Sequence, residues 1–305
     1  MSNAEVVTNE VCQMPTVNRN EQLIRQLSPQ HRAVIDVYVQ RALARQQEEL
    51  PVTPLTLAHD GLKLDPLMGK QVMNNILFSE RPGYTEQTDN VQLISLPPAL
   101  DTATESYATL LKRRKSQRDF TDAPLSLDDL STICHLAAGV RNRFKTNSNQ
   151  TIPYAPFTPT GGGLLSMHLY YAALNTEGLS RGIYRYRAEE HAMQVVSLGE
   201  IRGRIFEIAS FQDWIARSAG IFILVSDLDR VQWKYEDRAY RLTHMDAGVL
   251  GQSVHLSATS LNLGSCMVFG FLDDEMNQLL GIDGDRQFVS LIIPVGHPIT
   301  DFSAM

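Results

Sequence analysis

The chain has 305 residues, of which 43% are hydrophobic and 20% charged, a composition typical of a folded globular protein. Its 27 lysines and arginines against 34 aspartates and glutamates leave a formal charge of −7. This balance argues against nucleic acid as a partner, because phosphate contacts require a surplus of cations. No apolar run reaches the roughly 18 residues needed to cross a bilayer, and the N-terminus lacks the pattern of a signal peptide. Three widely spaced cysteines without a Cys-x-x-Cys pair fit a reducing compartment, so a cytoplasmic protein without a membrane partner is expected.

The composition changes near residue 100, which predicts an accessory segment at residues 1–100 and a core at 101–305. Ser28-Pro29 followed by apolar residues at helical spacing predicts a helix over 28–49. A second helix is predicted over 65–77. Residues 80–98 contain Arg-Pro-Gly and Pro-Pro and are interpreted as a loop or linker.

Helices and strands alternate beyond residue 100, which predicts an α+β fold with a mostly antiparallel sheet flanked by helices. Helices are expected over 107–114, from a capping box at Ser126 to Gly139, over 200–209, over 240–263 with Gly264 as the stop, and from Asp273 to Gly281. Strands are expected over 167–173, 183–186, 193–196, 221–225 and 288–295.

The first candidate for chemistry is the basic run Arg113-Arg114-Lys115-Ser116-Gln117-Arg118. Cations and a hydroxyl at alternate positions can converge on one phosphate, because arginine offers a planar fork of donors. A solvated basic face at a helix C-terminus is the alternative, and spacing alone favours it.

The second candidate is the sequence Thr158-Pro159-Thr160-Gly161-Gly162-Gly163-Leu164, just before a strand. Three glycines allow close approach of the backbone to a flat or anionic ligand. The sequence is not Gly-x-Gly-x-x-Gly, so it does not match the dinucleotide fingerprint. An ordinary flexible loop is an equally good interpretation.

The third candidate is Lys234-Tyr235, within a mixed charged and aromatic stretch ahead of the long helix. A lysine beside a ligand can serve as a base when it is neutral, and a neighbouring tyrosine can donate a hydrogen bond. A generic Lys-Tyr pair is more often an ordinary pair of residues at a helix N-terminus with no catalytic role.

The fourth candidate is the apolar stretch at residues 263–271, which contains Met267, Val268, Phe269 and Gly270. Backbone N–H groups there could face a cofactor ring, or the stretch could be a buried turn between helices. Cys266 is interpreted as a packing residue, and the histidines lack the spacing of a metal site.

These four segments, in this order, resemble the nitroreductase-like flavoproteins, and more narrowly the SagB-type, McbC-like azoline oxidases. The resemblance covers about residues 105 to 298. It implies FMN as cofactor, a nitroreductase-like fold and a homodimer in which both chains touch each FMN. The long helix at 240–263 is the candidate for the dimer core, although its apolar stripe equally fits a monomer core. The stripe consists of Met245, Val249, Val254, Leu256 and Leu261.

The resemblance also assigns residues to the cofactor. The family's phosphate segment matches Arg114, Ser116 and Arg118, and no basic residue near the C-terminus adds to it. The family's Pro-Ser-x-Gly loop matches Pro159, Thr160, Gly161 and Gly162, with threonine in place of serine. The segment along the flavin ring matches Met267, Val268, Phe269 and Gly270, where Phe269 stands in place of the usual glycine.

The catalytic pair of the azoline oxidases matches Lys234 and Tyr235. The resemblance implies that Lys234 removes a proton from a thiazoline or oxazoline ring, that Tyr235 orients the ring nitrogen or relays a proton, and that a hydride passes to flavin N5. The product would be a thiazole or oxazole in a modified peptide. Partners expected with it are a cyclodehydratase or docking protein, with residues 1–100 as the docking segment or as a segment that only packs on the core.

Three alternatives remain beside this function. One is a related flavin dehydrogenase that acts on a carrier-bound substrate. Another is an NAD(P)H-dependent nitroreductase, which Lys234-Tyr235 disfavours. The last is a non-catalytic scaffold in a peptide-modifying complex, which Phe269 and the lack of a basic C-terminus keep open.

Overall fold

The computed structural model describes residues 91–101, 105–143 and 154–299. These residues belong to the second of two units into which the chain divides, Leu64–Met305. The helices predicted at 28–49 and 65–77, and the predicted loop before residue 91, lie outside the described residues. The boundary near residue 100 stays a prediction.

A seven-stranded sheet forms the centre of the described part of the chain. Its strands are β1 (Leu93–Ser95), β4 (Met167–Ala173), β5 (Gly182–Arg187), β6 (Ala192–Leu198), β7 (Gly220–Asp227), β8 (Gly264–Ser265) and β9 (Gln287–Gly296), while β2 (Val140–Asn142) and β3 (Ala155–Pro156) form a separate ribbon. The order in the sheet is β1-β6-β5-β4-β7-β9-β8, and every neighbouring pair is antiparallel. The predicted antiparallel sheet is confirmed.

Seven α-helices occur among the described residues. They are α1 (Tyr107–Arg113), α2 (Leu127–Ala138), α3 (Arg202–Ile208), α4 (Asp213–Ala216), α5 (Gln232–Tyr235), α6 (Arg238–Ser260) and α7 (Asp273–Leu280). Two single 3₁₀ turns, Gly161–Gly163 and Leu228–Arg230, precede β4 and α5 respectively. None of these helices, the 23-residue α6 included, is long and apolar enough to cross a membrane.

Alternate residues of the strands supply two separate apolar layers, because successive side chains of a strand point to opposite faces. Tyr171 and Phe222 lie in the layer that contains buried residues of α2 and α6. Ile221 and Ile223 lie in the other layer, with buried residues of α3, α4 and α7. All eight residues of β7 are buried, as expected for a central strand covered on both faces. The predicted α+β fold with helices on both sides of the sheet is therefore confirmed.

The local sequence explains where helix α2 begins and ends. The Ser126 side chain accepts a hydrogen bond from the Asp129 N–H at 3.0 Å and donates to the Asp129 carboxylate at 2.7 Å. The Ser126 cap thus satisfies one backbone donor that the first turn leaves unpaired, but Asp129 accepts from the Ser126 hydroxyl and not from its N–H, so the predicted capping box forms only in part. The predicted inward residues Leu130, Ile133, Cys134 and Ala137 are all fully buried, and Gly139 follows the last helical residue.

The long helix differs from its prediction at both ends and in its buried face. It begins at Arg238, and it ends at Ser260 instead of continuing to Gly264, because Asn262 has a left-handed φ of 59° and Gly264 pairs in β8. Met245 and Val249, predicted to be in the apolar stripe, are 67% and 42% exposed. The buried face instead runs through Ala247, Leu250, Gly251 and the predicted Val254, and it packs so closely that a Cβ at Gly251 would lie 2.5 Å from the Leu291 side chain.

Two smaller predictions also need correction. The predicted loop at 80–98 contains the edge strand β1, which pairs with β6. Asp273 is the first residue of α7 and not its N-cap, a position that Leu272 occupies. The three acidic residues of that first turn still complement the helix dipole.

Candidate functional site

The basic run leaves α1 and pairs at once with the stretch after α6. Ser116 forms a parallel bridge with Ser265, and the Gln117 N–H donates to the Ser265 carbonyl at 2.9 Å. The Arg118 guanidinium lies 5.9 Å from the Trp214 ring centroid, and both Ser116 and Arg118 are exposed. The first and fourth candidate segments are therefore neighbours, and we call residues 114–118 with 265–270 the basic half-site.

Arg113 and Arg114 have different surroundings. The Arg113 guanidinium donates to the Glu105 carboxylate at 2.5 Å and to the Thr259 carbonyl at 3.2 Å, so it ties α1 to the end of α6. Arg114 is half-buried, and its guanidinium has no hydrogen bond to any residue that the structure describes. Arg113 is therefore a partly buried structural residue and not part of a solvated basic face, while Arg114 is left available for an anion.

A histidine of α6 supports this half-site from behind. His255 Nε2 donates to the Lys115 carbonyl at 3.1 Å, which fixes the backbone between Arg114 and Ser116. Burial lowers the pKa of His255, and the nearby charge of Arg114 lowers it further, although the bonds to the backbone of Lys115 and Ser265 act in the opposite direction. His255 is therefore neutral at neutral pH.

The Met267–Gly270 part of the basic half-site combines a buried anchor with an open surface. The Val268 backbone exchanges hydrogen bonds with Ile292 at 2.9 and 3.2 Å, and its side chain is buried. Phe269 is 73% exposed, and a Cβ added at Gly270 would meet nothing within 4 Å. Within the described residues, the N–H groups of Phe269 and Gly270 have no hydrogen-bond partner. Cys266 is only 2% exposed, as expected of a packing residue.

The second candidate segment, which we call the glycine loop (residues 158–164), is shaped by one buried carboxylate. The Gly161 N–H donates to both oxygens of Asp246 at 3.0 and 2.9 Å, and Ser166 Oγ donates to one of them at 2.5 Å. Thr160 Oγ1 accepts from the Leu165 N–H at 3.2 Å. Gly162 has a left-handed φ of 62°, which glycine adopts without strain. Burial raises the pKa of Asp246, and its two hydrogen-bonding partners counteract part of this effect.

The third candidate segment meets the glycine loop directly. Lys234 and Tyr235 end the single turn of α5, and both are partly buried. A Cβ at Gly162 would lie 2.5 Å from Tyr235 Oη and 3.0 Å from Lys234 Nζ. The glycine therefore leaves the room that the amine and the phenol occupy. We call residues 160–163 with Lys234 and Tyr235 the lysine half-site.

The two half-sites contact opposite sides of α6. Leu242 packs on Gly161, whereas Gly251 lies beside Met267 and Leu291. Leu242 and Gly251 are nine residues apart, or about two and a half helical turns, so they face opposite directions. Asp246 and His255 have the same separation and contact the glycine loop and Lys115 respectively. One chain therefore carries the two half-sites on different surfaces.

A buried polar network lies next to the lysine half-site, and sequence reasoning missed it. His168 Nε2 lies 2.8 Å from Asp227 Oδ2, which also accepts from Gln287 at 2.9 Å. Arg185 donates to His168 Nδ1 at 2.9 Å, and because arginine only donates, Nδ1 is an acceptor and Nε2 carries the proton. Burial lowers the pKa of His168 to about 3, assisted by the charges of Arg230 and Arg185. A histidine within an apolar strand was the one signal available in the sequence.

A cavity of about 50 Å³ joins this network to the glycine loop. The network and the glycine loop both contribute polar residues to its lining, and its volume is enough for ordered water. The polar residues that line it include Thr158, Thr160, His168, Arg230 and Asp246. Pro159 also lines it, so two of the four predicted loop residues, Pro159 and Thr160, face the cavity.

Known proteins resemble this chain in sequence. A family model described as the nitroreductase family matches residues 111–297. A protein of Methanocaldococcus jannaschii that is named as a nitroreductase is 31% identical over 192 residues, which cover 62% of this chain and 90% of that protein. The chain belongs to the nitroreductase family.

Solved structures resemble it in fold. A protein of Anabaena variabilis, also named as a nitroreductase, has a TM-score of 0.62 at 25% identity over 82% of this chain and 49% of that one, so our chain spans about half its length. The E. coli microcin synthetase McbBCD complex with truncated pro-MccB17 bound has a TM-score of 0.53 at 17% identity, over 92% of this chain and 97% of that one. Membership of the family indicates a flavin oxidoreductase, while these names leave its substrate open.

Proposed function

We propose that the protein is an FMN-dependent dehydrogenase that aromatises thiazoline or oxazoline rings in a modified peptide. The observation that carries the proposal is the position of Lys234 Nζ and Tyr235 Oη against Gly162. An amine that can accept a proton and a phenol that can donate a hydrogen bond thus share one partly buried place beside the three consecutive glycines 161–163. The resemblance to the azoline oxidases makes this the catalytic pair, and plain nitroreductases lack it.

The basic half-site has the features that FMN requires. Arg114, Ser116 and Arg118 offer charged and hydroxyl donors to a phosphate. Ser265 Oγ is buried without a hydrogen-bond partner among the described residues, directly beside Ser116. At the other end of this half-site, the unpartnered N–H groups of Phe269 and Gly270 and the open space at Gly270 suit a flat ring with acceptor atoms.

The residues of the lysine half-site would perform the proton chemistry. Lys234 in its neutral form takes the proton from the ring carbon that was a peptide Cα, and Tyr235 donates a hydrogen bond to the ring nitrogen. When bound, FMN supplies the acceptor for the hydride that leaves the adjacent ring carbon. The ring thereby loses two protons and two electrons, as one proton and one hydride, and becomes aromatic. Dioxygen is the expected final oxidant.

A homodimer is part of this proposal. Since the half-sites lie on opposite sides of α6, an active site that needs both would combine the basic half-site of one chain with the lysine half-site of a second copy. The exposed residues Met245 and Val249 on α6 are apolar and available for such a contact. The mass of the flavin-loaded protein in solution tests this point, and a single-chain mass would contradict it.

A peptide substrate and partner proteins complete the proposal. The McbBCD complex, which resembles our chain in fold, was solved with a truncated pro-MccB17 bound. That likeness supports a peptide-modifying role, in which a cyclodehydratase would supply the azoline. Residues 1–100 are the proposed docking segment for it.

The absorption spectrum of the purified protein is the first test. A yellow protein that releases about one FMN per chain is expected, followed by loss of two hydrogens from a synthetic thiazoline peptide. A protein that stays colourless with added FMN would contradict the proposal and favour the scaffold alternative.

A nitroreductase that uses NAD(P)H is the second candidate, because the Methanocaldococcus and Anabaena relatives carry that name. Rapid NAD(P)H oxidation with a nitroaromatic acceptor, together with no conversion of the thiazoline peptide, would favour it. Conversion of a carrier-bound thiazoline but not of the peptide would favour the assembly-line alternative.

A further inference from the structure

The turn that carries Lys234 and Tyr235 is too short to hold its own orientation. Helix α5 has four residues, and an isolated turn of that length is unstable because nucleation costs more than one hydrogen bond returns. The next residue, Glu236, has a left-handed φ of 50°. Contacts from outside the turn must therefore keep the amine and the phenol at Gly162.

Arg230 makes contacts of the required kind. Its Nη1 donates to the Leu165 carbonyl at 2.7 Å, and Leu165 directly follows the glycine loop. Its own carbonyl accepts from Trp233 Nε1 at 2.9 Å, inside the turn. The Arg230 side chain is only 8% exposed. One residue thus connects the turn to the loop against which the turn packs.

The same side chain is anchored to the central sheet. Arg230 Nε forms an ion pair, and not a hydrogen bond, with Asp227 Oδ2 at the end of β7, at 3.5 Å. Asp227 is held in turn by His168 from β4 and by Gln287 from β9. Burial would raise the pKa of Asp227, but these hydrogen bonds and the charge of Arg230 keep it below its ordinary value, so the carboxylate stays charged.

We propose that Arg230 is a positioning residue for the lysine half-site. Its planar guanidinium reaches a carbonyl of the loop and a carboxylate of the sheet at once, which a lysine ammonium on a flexible stem does less well. The turn is thereby fixed against the loop and the sheet, and Lys234 and Tyr235 keep their position beside Gly162. The inference rests on the roles proposed above for Lys234 and Tyr235.

The test compares Arg230→Ala and Arg230→Lys with Arg286→Ala in the FMN-loaded protein. Arg286 is an exposed arginine that pairs with Asp229, in the same 3₁₀ turn as Arg230, so it is a matched control. We expect kcat for a thiazoline peptide to fall about 100-fold in Arg230→Ala, because small displacements of reacting groups have effects of this size. KM and FMN content should stay unchanged, and Arg286→Ala should behave as the wild type.

Added guanidinium ion provides the decisive readout. It can enter the space that Arg230→Ala opens beside the cavity, and we expect it to restore kcat, whereas tetramethylammonium should not. Retained kcat in Arg230→Ala, or a loss that guanidinium does not repair, would overturn the proposal. If that variant does not fold, Arg230→Lys decides: a lower kcat at unchanged KM supports positioning, and an unchanged kcat contradicts it.

Amide hydrogen exchange separates this inference from the proposed function. If the wild type does not convert the peptide, the proposed function fails while the exchange measurement still tests Arg230. The amides of Lys234, Tyr235 and Glu236 donate to carbonyls of Val231 and Gln232. Faster exchange at these amides in Arg230→Lys, with β7 and β9 unchanged, would support positioning. Unchanged exchange in the turn would overturn it.

Discussion

The two half-sites are held in place by different interactions. In the basic half-site, backbone pairing does most of the positioning, between Ser116 and Ser265 and between Val268 and Ile292, and His255 is the one supporting side chain described. In the lysine half-site, buried ionisable side chains do it, with Asp246 under the glycine loop and Arg230 beside the turn. A half-site held by backbone pairing leaves its side chains free for a ligand. A half-site held by buried charges depends on the protonation state and identity of those groups.

The largest expected effect is the loss of the proposed base. Lys234→Met should lower turnover of a thiazoline peptide by about 100- to 10,000-fold, the usual contribution of a general base, without changing FMN content. Lys112→Met in α1 is the control, because Lys112 is an exposed lysine that belongs to neither half-site. Near-full activity of Lys234→Met with loaded flavin would show that the base is another group.

Flavin affinity tests the other half-site. Arg114→Met and Arg118→Met should each weaken FMN binding by about 10- to 150-fold, since a hydrogen bond to a charged group contributes about 1.5–3 kcal/mol. Arg113→Met should lower stability and leave the affinity unchanged, because Arg113 contacts Glu105 and Thr259. Fluorescence titration of the flavin-free protein measures all three. Equal weakening by Arg113→Met would remove the distinction drawn within the basic run.

Two adjacent glycines offer a matched pair. Gly162→Ala and Gly163→Ala should each cost about 1–2 kcal/mol of stability, because both residues have left-handed φ values. Only the Cβ at Gly162 would meet Tyr235 and Lys234, so only Gly162→Ala should also lower turnover, on the order of 10- to 100-fold. Urea unfolding and steady-state kinetics check the two effects. An equal loss of turnover in Gly163→Ala would mean that loop strain, and not the contact, matters.

The last prediction concerns stability alone, through its dependence on pH. The folded pKa of His168 is about 3, below its ordinary 6.5, so the folded protein binds fewer protons there than the unfolded chain does. Stability should therefore be present above about pH 6.5 and fall as the pH decreases toward 3. His168→Gln should make this decrease shallower in a pH series of melting temperatures. Ile292→Val, a core change outside the network, should shift the curve without changing its slope.

Much of the fold could be predicted because its signals are local. The helix cap at Ser126 and the apolar runs of β4, β7 and β9 depend on neighbouring residues only, and their positions are confirmed. The buried face of α6 could not be predicted from hydrophobicity. Its packing distance is set by a contact between Gly251 and Leu291, which are 40 positions apart in sequence.

The candidate site shows the same division. The residues of the four segments could be singled out from composition and resemblance, and their assignment to FMN and to catalysis stays a prediction. The supporting residues Asp246, His168 and Arg230 could not be singled out in this way. An aspartate in a helix, a histidine in a strand or an arginine in a turn is ordinary until its partners are known. Burial and long-range hydrogen bonds make these residues important, and neither is visible in the local sequence.

Gly251 has a consequence for how this protein can vary. A Cβ there would require Leu291 or α6 to shift, and α6 carries contacts to both half-sites. A shift of α6 would displace both surfaces together. Variation in substrate preference would then have to arise in the loops and turns that face α6, such as residues 158–164. The helix itself would keep the distance between the two half-sites of one chain constant.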